Sequence, residues 1–81
     1  MNNMTKLESL IKSQEIEVLQ RSKLVTEALN AKHYANKNNV ELIAQLSQDI
    51  EVAQARHSLA IQNLIDLYKH AQNVEMVKVN A

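Results

Sequence analysis

A chain of 81 residues with no glycine and no proline lacks both residues that ordinarily end helices. Its one cluster of turn formers is Asn36-Lys37-Asn38-Asn39, close to the middle of the chain. Long helices interrupted once are therefore expected. The rest of the composition agrees, because Ala, Leu, Ile, Val, Gln, Glu and Lys dominate and Tyr34 and Tyr68 are the only aromatic residues. The fold class is all-α: two long antiparallel helices forming an αα-hairpin with a coiled-coil-like seam. The whole chain, 1–81, reads as one domain.

The first helix is signalled by Thr5-Lys6-Leu7-Glu8, a capping box in which hydroxyl and carboxylate each satisfy an orphan backbone N–H. At about 100° per residue, Leu7, Leu10, Ile11, Val18, Val25, Ala28 and Leu29 share one stripe. Glu8 with Lys12 and Glu17 with Arg21 are favourable i,i+4 pairs beside it. Helix 1 is expected over about 5–34, its pattern fading after Asn30, and the turn over about 35–38. Asparagine tolerates the left-handed conformation, so Asn36 or Asn38 is the expected helix stop. Asn38 also precedes Glu41 by the capping-box spacing, which makes it the expected start of the second helix.

From Ile43 the residues Leu46, Ile50, Ala53, His57, Ala60, Leu64, Leu67 and Ala71 follow alternating steps of three and four, a sustained heptad seam. Helix 2 is expected over about 39–72, closed by Lys69, His70 and Asn73, with a frayed tail over 73–81. Folding back at Lys37 sets residues whose numbers sum to roughly 74 at one height. Val18 then faces His57, and Val25 faces Ile50. A continuous coiled coil, each helix pairing with another chain, would use the same seam.

Two helices side by side leave most of their circumference uncovered. Ile16 and Leu19 on helix 1, and Val52, Ala55 and Leu59 on helix 2, lie off the seam and are candidates for an intermolecular face. Ile65, Tyr68 and the Val74 to Val79 tail come next. Taken singly, each of these is also an ordinary surface aliphatic. At this length a hairpin is marginal without a disulfide, a metal or a partner, and the absence of cysteine removes the disulfide and any thiolate metal site. The expected function is therefore binding.

Other classes find little support. Nine basic and nine acidic residues are spread without blocks, so nothing steers the chain toward nucleic acid or anionic lipid. Apolar runs such as Leu42-Ile43-Ala44 are far too short for membrane insertion or the core of a secretory signal, and the expected location is the cytoplasm. His33, His57 and His70 have no metal-ligand spacing beyond the pair Asp66 and His70, which lacks a third ligand. Ser47 and Ser58 have no matched base, and no glycine loop could cradle phosphate. No enzyme, cofactor or metal is expected.

Thr5-Lys6-Leu7-Glu8-Ser9-Leu10-Ile11, the polar turn, and Ala53-Gln54-Ala55-Arg56-His57 leading through Ala60-Ile61-Gln62-Asn63-Leu64-Ile65 to Leu67-Tyr68-Lys69-His70 resemble the small E-type co-chaperones of type III secretion needle subunits. The resemblance implies a bacterial cytoplasmic hairpin that binds a tetratricopeptide-type chaperone, the two together keeping the needle subunit unpolymerised before export. Two alternatives use the same apolar positions. One is a self-associating homodimer forming a four-helix bundle with a structural or regulatory role; the other is a coiled coil bridging subunits.

Overall fold

The computed structural model describes residues 5–80, with side chains through Val74. It contains two helices, α1 over Lys6–Tyr34 and α2 over Val40–Asn80, packed against each other as an antiparallel hairpin. Its extents are 65 × 26 × 13 Å. The smallest of these is the thickness of a single helix, so no third layer covers either face. The radius of gyration, 18.6 Å, is well above the roughly 12 Å of a compact chain of this length.

The helix ends follow from local chemistry. Thr5 is extended, and its hydroxyl accepts the Glu8 N–H at 3.1 Å, which is the hydroxyl half of the expected capping box. Glu17 pairs with Arg21 at 3.6 Å, whereas Glu8 and Lys12 do not close. At the other end α1 stops without any left-handed residue. Ala35 turns extended (φ −72°, ψ 152°), and the Lys37 ammonium donates to the Lys32 carbonyl at 2.8 Å, satisfying one of the orphan acceptors. No described residue has positive φ, so the expected asparagine stop is not used.

Asparagines build the turn by a different route. The Asn36 side chain accepts from the Asn38 N–H at 3.0 Å, and the Asn36 carbonyl accepts from the Asn39 N–H at 3.0 Å. This closure makes Asn39 the first residue of the next helix turn. Asn39, and not Asn38, caps α2, its side chain accepting from the Leu42 N–H at 3.1 Å. At its far end α2 runs past the expected stop at Asn73 to Asn80. Asparagine inside a helix costs only about 0.7 kcal/mol relative to alanine, and no residue that breaks a helix follows it. The side chains of 75–80 lie outside the described residues, and with them most of the tail proposed for contacts.

The core is a narrow line along the seam. Ile50 and Ala60 are buried at 8% and 4% exposure, and Ile43, Leu46, Ala53, His57, Leu64, Leu67 and Ala71 are half-buried between and beyond them. The whole heptad pattern of α2 thus faces α1. Gln14 fixes the register: its side-chain amide donates to the Ala60 carbonyl at 3.0 Å, joining two residues whose numbers sum to the expected value.

On α1 the half-buried residues are Leu7, Ile11, Gln14, Val18, Arg21, Val25, Ala28, Lys32 and Ala35, with Glu17 and Ser22 at the margins. Leu10 and Leu29, expected in the stripe, are instead exposed. A single partner helix covers only a strip with period 3.5, narrower than the arc over which apolar residues occur on α1. Leu10 and Leu29 fall on the two edges of that strip. Gln14, Arg21 and Lys32 occupy the intervening positions.

Candidate interaction surface

The candidate site is made of apolar side chains that the hairpin leaves in solvent. Among the described residues fourteen large hydrophobic side chains are exposed, against two buried positions in the core. All six expected partner-binding residues, Ile16, Leu19, Val52, Leu59, Ile65 and Tyr68, are among the fourteen, with Leu19 at 71% and Leu59 at 62% the most open of the six.

These six do not form one patch. Leu59 lines a shallow depression with Glu17, Arg21, Arg56, Ala60 and Asn63 on one edge of the seam. Tyr68 reaches the other edge, where its hydroxyl lies close to the Glu15 carboxylate. Glu15 and Glu17 point about 200° apart around α1, so the two edges lie on opposite faces of the hairpin. Val52 is one heptad from Leu59 and belongs to the Arg56 flank. Ile65 is one helical turn from Tyr68, and Leu19 is one turn from Glu15, so both belong to the Tyr68 flank. Ile16 lies between Glu15 and Glu17 and faces directly away from α2.

Each flank carries residues that the sequence reading did not assign to an intermolecular face. Leu10 and Leu24 on α1 and Leu42 on α2 extend the Arg56 flank, whereas Leu29, Val40 and Ile61 extend the Tyr68 flank; all six are exposed. The signal was present at the heptad positions next to the seam. Leu10, Leu24 and Ala31 recur on a seven-residue grid, interrupted by Glu17.

The electrostatics of the flanks differ. In the depression on the Arg56 flank the Glu17–Arg21 pair and the neighbouring Arg56 leave one cation in excess. Arg56 makes no ion pair among the described residues. On the Tyr68 flank, loss of water against the neighbouring helix, then the Glu15 charge, then the hydrogen bond to that carboxylate raise the phenol above its ordinary value of 10.0. At the open end of the hairpin a further depression is lined by Thr5, Leu7, Glu8, Ile11, His70, Ala71 and Val74.

The described residues bring no three potential metal ligands together, and Asp66 accepts from Gln62 at 3.0 Å. None of the described helices is long and apolar enough to cross a membrane. The chain matches no protein-family model, no curated protein and no solved structure. What the protein does must therefore be argued from its own surface.

Proposed function

We propose that the hairpin is a cytoplasmic binding subunit, a co-chaperone of the kind its sequence resembles, that docks on a tetratricopeptide-type chaperone and helps hold a needle subunit unpolymerised. The observation that carries this reading is the distribution of exposed apolar residues over two opposite flanks of a body 13 Å thick. A flat partner would cover one flank and leave the other. A helical solenoid with a concave groove can enclose a slender hairpin and cover both. The near absence of a core supports the same conclusion, since a domain this small ordinarily depends on a partner, a disulfide or a metal.

The test is isolation of the tagged chain from its native cell, with bound proteins identified by mass spectrometry. The expected companion is a tetratricopeptide chaperone, with a small helical subunit attached. Ile16→Ser combined with Leu59→Ser should leave helicity near that of the parent chain and weaken capture, and Ile65→Ser should weaken it from the other flank. Recovery of the chain without any tetratricopeptide protein would refute the proposal.

A further inference from the structure

The Arg56 flank has the pattern of a surface that fits itself. We infer that two copies of this chain pack through it, antiparallel about a two-fold axis passing at Val52, to form a four-helix bundle. Such a dimer requires no other protein and uses a flank that the chaperone groove would otherwise cover, so it is the state of the chain before docking.

Charge complementarity is the first ground. Asp49 and Arg56 are one heptad apart on α2, both exposed, and Val52 lies between them on the same flank. A two-fold at Val52 lays α2 of one copy antiparallel on α2 of the other, which brings each Arg56 against the other copy's Asp49. Within one chain Arg56 has no carboxylate and sits beside the Glu17–Arg21 pair, so the depression holds one positive charge too many. The second copy supplies the missing anion, and it does so twice.

The apolar residues obey the same symmetry. At about 1.5 Å of rise per residue, Leu24 lies about 20 Å from the Lys37 turn, Val52 about 22 Å, Ala31 and Leu42 about 8 Å, and Leu59 about 33 Å. The two-fold at the Val52 level keeps Val52 on itself and sets the two copies of Leu24 about 6 Å apart along the bundle axis. It also carries Leu59 to about 12 Å from the turn, within about 4 Å of the Ala31 and Leu42 layer. The Tyr68 flank fails the same operation. There Glu51, two heptads before Ile65 and exposed, lies about 21 Å from the turn and would meet its own copy at the axis, while Glu15 would be carried onto the apolar Leu29 and Ala44 layer.

Surface area is the second ground. The chain exposes 6540 Å², whereas a compact monomer of 9.2 kDa exposes about 4,900 Å². The excess, roughly 1,600 Å² per chain, is spread over the whole elongated body, and half of it on one flank would match what each partner contributes to an interface of standard size.

Sedimentation of the purified full chain over a concentration series, with helicity followed in parallel, tests this directly. The expected result is a dimer that Leu24→Asp dissociates and Ile65→Asp leaves intact. Arg56→Asp should raise the dimer dissociation constant about tenfold or more, and Arg56→Asp with Asp49→Arg should restore it. Because the chain has no cysteine, Val52→Cys should become disulfide-linked to its own copy on oxidation, and Ile65→Cys should not. A monomeric parent chain at all concentrations, a dimer broken by Ile65→Asp and not by Leu24→Asp, or a charge swap that fails to rescue would each overturn the inference.

Discussion

Replacing Ile50 by alanine removes three carbons from one of the two positions buried among the described residues. At about 0.8 kcal/mol per buried carbon group the transfer term alone is about 2.4 kcal/mol. A cavity term adds to it, but the site lies between just two helices, which can close partly over the gap, so the total should stay near 2 to 3 kcal/mol, the low end for such truncations. For a chain of this size each kcal/mol moves the melting midpoint by about 4 to 8 °C. Thermal melting followed by circular dichroism should therefore show a fall of roughly 10 to 20 °C. Ile16→Ala is the reference, since Ile16 faces away from α2 and an exposed change of this kind shifts stability by about 0.5 kcal/mol at most. Leu64→Ala should fall between them because Leu64 is only half-buried. If Ile16→Ala costs as much as Ile50→Ala, the seam does not hold the hairpin together and the reasoning from burial fails.

The turn and the edge offer two further checks. Asn39→Ala should destabilise the hairpin by about 1 kcal/mol through loss of the α2 cap, whereas Asn38→Ala should be close to neutral in the same melts, since only its backbone N–H is engaged. In a Tyr34→Phe background, absorbance titration should place Tyr68 ionisation above 10.0, and Glu15→Gln should move it back toward that value. Because the folded phenol is the weaker acid, the hairpin should lose stability as pH rises past 10.0 and keep it below.

Legibility differed between the two helices for a physical reason. On α2 every seam position is aliphatic or small except His57, so hydrophobic spacing alone traced the buried line. On α1 three seam positions are Gln14, Arg21 and Lys32, whose stems pack while their polar ends reach outward or across, and a reading by hydrophobicity passed over them in favour of Leu10 and Leu29. The cap was displaced by one residue because Asn38 has Glu41 at the capping-box spacing, while the closure between Asn36 and Asn39 selects the next residue. The six expected contact residues were exposed as foreseen. The division of five of them between two flanks, with Ile16 on the back of α1, depends on how the helices face each other, which no single helix encodes.

The register held by Gln14 and Ala60 also orders how the molecule comes together. Each step away from the turn adds two residues to the loop that a seam contact must close, from a few residues near Asn36 and Asn39 to 46 at the Gln14 bond and more beyond it. Loop closure becomes costlier by about 2 kcal/mol from an eight-residue to a sixty-residue loop. The seam therefore closes like a zipper from the asparagine turn outward and opens from the end where Leu7 meets Ala71. Amide exchange should be slowest near the turn side of Ile50 and fastest at the open end, with the Gln14 amide acting as a latch that must release before opening spreads inward to Val18 and Val25.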